Sequence, residues 1–238
     1  MPVTLAPTTM DRPTRGLLIP WLIAIGALVV YLATLSRHYT GDSIEYALAI
    51  ESSDPTYLLD PYHPLLHPMG LAFSRLWQLL GWTGQALLPL QVLNALGGAA
   101  CVGLVLALAR ALTQSTQIAV LVAAGFAVSG GHWMLSVEAE FVTVPLAAML
   151  LVLWGLLAAS PSQAKQDRYP VLLGLGTVLA IFCYLTAAFL VPVVITGLAL
   201  DDRLSPAQRR RHLAIYGATV LAIAVQGPRP GGRPVAAS

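Results

Sequence analysis

The sequence predicts an all-α protein, a polytopic bundle of transmembrane helices, on three observations. Hydrophobic residues make up 57% of the 238 positions and charged residues only 10%, whereas a soluble domain carries about a quarter charged residues. The mean hydropathy is +0.73. Apolar stretches of bilayer length recur along the chain, and the basic residues sort between the loops that join them.

The first stretch, Leu17–Leu35, follows Arg12 and Arg15. It is too long for a signal-peptide core and ends without a small-x-small cleavage pattern, so it reads as an uncleaved first span behind a short cytoplasmic segment, residues 1–16. The loop at 36–87 is the one long polar stretch, and it holds Asp42, Glu45, Glu51, Asp54, Asp60, His63 and His67. Within it, Gly41-Asp42 with Glu45 ahead of Tyr46–Ile50 reads as a helix start, with Asp42 as N-cap and Glu45 closing a capping box. Further on, Met69–Leu80 is too short to span. Its polar residues Ser74, Arg75 and Gln78 share one helical sector, which predicts a helix lying in the interface with Trp77 and Trp82 at headgroup depth.

Spans are then predicted at 88–109, 117–134 and 141–159. The run at 170–200 carries basic residues at both ends, which demands an even number of crossings, yet 31 residues extend only about 46 Å as helix. Two half-spans meeting near Tyr184-Leu185-Thr186 are expected, with Pro192 breaking the second limb. A last apolar run, 213–225, ends early, leaving an incomplete module at 17–226, and passes into a low-complexity tail, 227–238, rich in Gly, Pro and Arg; a truncated or frameshifted frame is expected there.

Nine basic residues (Arg12, Arg15, Arg110, Lys165, Arg168, Arg203 and Arg209–Arg211) fall on one side of this arrangement and only Arg37 and Arg75 on the other. The positive-inside rule makes the N-terminus cytoplasmic and sends the 36–87 loop and Glu138–Glu140 outward, in a multi-pass protein of the cell membrane. A net charge of +2 spread over helix ends implies no nucleic-acid partner. Cys101 and Cys183 lie within apolar runs and form no disulfide framework.

Each candidate group has a plain alternative. Asp42 reads as a cap, a role compatible with presenting an oxygen as general base. His63 and His67 stand four apart, but Pro64 and Pro68 follow them and disfavour the helix that would aim both at one metal, so no metal site is expected. They read as partners for a phosphate or a loop carboxylate, or as plain interfacial histidines. Glu138 and Glu140 flank Ala139 in a loop so short that one carboxylate must sit at the hydrocarbon edge, desolvated unless partnered, unless the pair serves only to stop the helices sliding inward.

The order of Gly41-Asp42-Ser43-Ile44-Glu45, Asp60-Pro61-Tyr62-His63-Pro64-Leu65-Leu66-His67-Pro68, Trp133 through Glu138-Ala139-Glu140-Phe141, and Tyr184-Leu185-Thr186 with Pro192 resembles the GT-C superfamily of integral-membrane glycosyltransferases, in its bacterial branch similar to protein O-mannosyltransferases. The resemblance covers about 17–200 and implies a chain matching the N-terminal half of such an enzyme. It implies a polyprenyl-phosphate sugar donor used at the outer face of the bilayer, and Asp42 as the catalytic base. Arg37, His63 or His67 would offset the leaving phosphate, and Glu45, Glu138 and Glu140 would orient acceptor or sugar hydroxyls. No nucleotide cofactor is implied, because the donor is already a lipid phosphate. The competing readings are a transporter or lipid-handling membrane protein, which the absence of ionisable residues at mid-span disfavours, and a catalytically inert fragment.

Overall fold

The computed structural model describes residues 13–53, 63–159 and 161–226. The loop acids Asp54 and Asp60, the Pro61-Tyr62 pair, Arg12 and the 227–238 tail lie outside the described residues. Every regular element is a helix, and no strand occurs among the described residues.

Helix α1, Pro13–Ala33, is followed by α2, Gly41–Ser52, and α3, Leu66–Leu79. The longest, α4, runs from Leu87 to Thr113. Its start is fixed by Glu51, whose carboxylate accepts the Ala86 N–H at 2.8 Å, placing negative charge against the positive end of the helix. Gln114 ends it in the left-handed conformation with φ 54°. Among the described residues this is the one single helix long and apolar enough to cross a membrane; a second crossing is reached if the next two helices count as one broken span.

Those two are α5, Thr116–Ala127, and α6, Gly130–Val137, bent by 61° at their junction. The span expected at 117–134 is thus bent near its C-terminal end. Ser129 adopts an extended backbone there and its hydroxyl donates to the Phe126 carbonyl at 2.8 Å, so the α5 ladder cannot continue. Helix α6 lies directly on α4, because a Cβ at Gly98 would meet Ser136 Oγ at 2.2 Å.

Helix α7, Thr143–Ala158, and the short α8, Pro161–Ala164, lead to α9, Arg168–Cys183, a 3-10 turn at Leu185–Phe189, and α10, Leu190–Leu200. The 170–200 run thus folds as two limbs. Tyr169 Oη and Arg203 Nη2 both donate to the Leu156 carbonyl, at 3.1 and 3.2 Å, so the start of one limb and the residues after the other meet at the same end of α7. The break lies at Tyr184, whose backbone is extended. Pro192 does not break the second limb as expected: it sits in the first turn of α10, where a missing N–H leaves no helical bond unmade.

Helix α11, Pro206–Gln226, is longer than its apolar run. Ser205 and Gln208 form a reciprocal capping box, at 3.0 and 3.3 Å, with Pro206 at the first helical position, so the helix starts ahead of Arg209–Arg211. Packing centres on α4, which touches α1, α5, α6 and α7, while α9 joins α7 to α11.

Polar side chains lie inside a mostly apolar core, and large apolar side chains also face outward. Gln91, Asn94, Ser136, Thr143 and Thr177 are buried, while Trp21, Leu79, Leu121, Phe189 and Leu200 are at least 67% exposed.

Candidate functional site

The three polar segments singled out in the sequence gather at one end of the bundle. Ser36 N–H donates to the Val137 carbonyl at 3.1 Å and Leu65 N–H to the Phe182 carbonyl at 3.0 Å. The first loop, the 138–142 connection and the turn at Tyr184 therefore share one end. Ala47, Ile50, Leu66, Leu90, Phe141 and Cys183 close an apolar floor beneath them.

Helix α2 begins at Thr40, whose hydroxyl accepts the Ser43 N–H at 3.2 Å. The expected cap at Asp42 with Glu45 as its capping-box partner is thereby corrected, because a threonine one residue ahead of Gly41 reaches the first turn with the required extended backbone. Asp42 lies in the first turn, and Asp42 and Glu45 are both exposed. Arg37 is likewise exposed. Neither it nor the two acids forms an ion pair among the described residues.

The histidines part company. His63 lies outside any helix; its ring stacks on Tyr184 with centroids 4.9 Å apart, and Nδ1 stands 3.3 Å from the Cys183 carbonyl. His67 is in the first turn of α3 and buried against Tyr46, ring centroids 5.1 Å apart. The helix disfavoured around Pro68 does form, since a proline in the first turn removes only an N–H that has no helical partner. The two rings pack on different aromatic partners, Tyr184 and Tyr46, and no cluster of three metal-ligating side chains occurs among the described residues.

Glu138 is the most constrained acid. It is 8% exposed, and Oε2 is shut off from solvent with no hydrogen-bond partner among the described residues. Burial raises its carboxyl above the ordinary range and the neighbouring Glu140 raises it further, with His38 acting the other way. Of the pair, Glu138 is the acid buried by the protein, while Glu140 is only half-buried.

The frame holding Glu138 comes from residues the sequence reading passed over. Gln91 Nε2 donates to the carbonyls of Ser36 and Val137, at 2.8 and 3.1 Å, and Asn94 Nδ2 donates to the Glu138 carbonyl at 2.6 Å. Thr143 Oγ1 donates in turn to the Asn94 carbonyl at 2.8 Å. Their signal was available: Gln91 and Asn94 are the polar pair, three residues apart, in an apolar helix, and such residues face the protein interior. Phe141 is wholly buried in the left-handed region, φ 57°. The strain there, about 1–3 kcal/mol, is offset by burial of the ring, about 1.5–3 kcal/mol, and by its contact with Tyr46 at 5.4 Å. Gly70 makes room for it, because a Cβ there would meet Phe141 Cζ at 2.7 Å.

The site is thus a cap of one histidine and one aromatic ring (His63 and Tyr184), a buried carboxylate on a hydrogen-bonded frame, and two exposed acids on α2 at the same end. No known protein family, curated protein or solved structure matches the chain.

Proposed function

We propose that the chain is a membrane glycosyltransferase module of GT-C type that takes a sugar from a polyprenyl phosphate at the outer face of the cell membrane. A multi-pass bundle is supported by the many large apolar side chains turned outward around a core that also buries polar groups, an arrangement that a lipid solvent favours. The observation that carries the catalytic reading is the gathering of α2, His63, Glu138 and Tyr184 at one end, since a base works only within reach of a position shared with the groups that bind its substrate.

In this reading Asp42 removes the proton from the acceptor hydroxyl as that oxygen attacks the anomeric carbon, and the polyprenyl phosphate departs with the bonding electrons. His63 and Arg37 offset the phosphate charge, while Glu45, Glu138 and Glu140 orient hydroxyls. His67, packed against Tyr46, supports the loop from beneath.

The test is turnover of polyprenyl-phosphate hexoses by membrane vesicles carrying the full chain, read as release of polyprenyl phosphate. Asp42→Asn should lower it by about a hundredfold or more. Thr40, not Asp42, caps α2, so the same substitution should cost less than about 1 kcal/mol through the helix dipole. Full turnover in Asp42→Asn, or none above control vesicles in the wild type, would overturn the reading.

A further inference from the structure

At the opposite end of the bundle two apolar grooves lie side by side along α7. One, of about 570 Å³, runs between α1, α4 and α7, with Trp21, Ala24, Gly103 and Ala107 along it and Arg110 and Gln114 at its end. The second, of about 440 Å³, lies between α7 and α9 and includes Gln163 and Arg168. Leu151 and Trp154 form the wall common to both. The polar lining of each is confined to one end, where α4 finishes and α9 begins, the end that also carries Arg203 and Arg209.

We infer that these grooves hold the two acyl tails of one anionic phospholipid, with its phosphate at the Arg110 end. The wall of Leu151 and Trp154 divides the space, which suits two separate chains and not a packed helix of a partner. From Ala100 to Gln114 the first groove follows α4 for about 21 Å, comparable to one leaflet, headgroups included, of a bilayer about 40–45 Å thick. Positive charge at the mouth, with apolar side chains along the length, complements a lipid carrying an anionic head, and basic pockets between helices recognise such heads. This inference rests on the membrane reading above and is independent of glycosyl transfer.

The experiment uses the full chain purified in mild detergent, offered phosphatidylglycerol and phosphatidylcholine at equal concentration, with retained lipid counted by native mass spectrometry. The wild type should retain phosphatidylglycerol about fivefold over phosphatidylcholine, the effect of one basic residue near a membrane surface. Arg110→Gln should lower that preference at least twofold, with Arg168 still at the second groove, and Arg110→Lys should keep it. Ala107→Phe should reduce retention of both lipids, and Arg75→Gln, at the other end, should change neither. Equal retention by the wild type, or an undiminished preference in Arg110→Gln, overturns the lipid site and leaves the membrane reading standing. Release of the chain from membranes by alkaline carbonate overturns both.

Discussion

Glu138 shows how one residue acquires its properties from neighbours that the chain supplies far away in sequence. Its backbone is held by Asn94 and its side chain is buried beside Glu140. Because its pKa is raised on folding, its favourable contribution is present below the ordinary value of 4.5 and is lost as pH rises through the higher folded value. Oε2 of this buried carboxyl has no hydrogen-bond partner among the described residues. Glu138→Gln, an uncharged isostere, should stabilise the protein by about 1–2 kcal/mol at pH 7. The gap should close below pH 4.5. Denaturant unfolding in detergent across this range measures it, and a difference that widens toward acid would contradict the assignment.

At the scale of elements, the return of α9 and α10 depends on a clasp after the second limb. Arg203 grips Asp201 with Nε and Nη2, both at 2.7 Å, and also donates to the carbonyls of Leu156 and Ala159. Arg209 Nε reaches the Asp201 carbonyl at 2.8 Å. Burial of Asp201 opposes ionisation, but the hydrogen bonds from Arg203 outweigh it and hold the carboxyl below its ordinary 3.8. A lowered pKa means the stabilisation is present above 3.8 and lost as pH falls through the folded value. Asp201→Asn should therefore cost about 2–4 kcal/mol at neutral pH, because it breaks a bidentate pair that is buried on one side and leaves Arg203 without its anion. The cost should shrink as the pH is lowered. The same unfolding measurement, run on the single mutant, checks both points.

For the whole molecule, the proposed topology sets the 36–87 loop and the turn after α9 outside, and the Lys165 and Ser205 connections inside. Ala139 is fully buried and gives no useful label, whereas Thr83, Thr186, Lys165 and Ser205 are exposed. Single cysteines at Thr83 and Thr186 should react with an impermeant thiol reagent in intact cells, and those at Lys165 and Ser205 only after permeabilisation. The native thiols Cys101 and Cys183 are buried, which keeps the background low. Reaction of Lys165→Cys in intact cells would contradict the topology.

The all-helical fold, most helix positions and the doubled-back 170–200 run were legible in the sequence, because apolar length and the placement of basic residues act locally along the chain. The ends of elements were less so. Thr40 displaced Asp42 as the cap, Pro68 and Pro192 were absorbed into first turns, and Ser129 bent a stretch whose hydropathy alone reads as continuous; each outcome depends on backbone geometry within one turn, which composition does not encode. That the loops carrying His63, Glu138 and Tyr184 share one end followed from the basic residues, but the contacts that hold them there were decided by tertiary structure. They follow from Gln91 and Asn94 seeking partners inside an apolar bundle and from Gly70 and Gly98 letting backbones approach, since a buried polar group must find its hydrogen bond wherever the packed chain brings one.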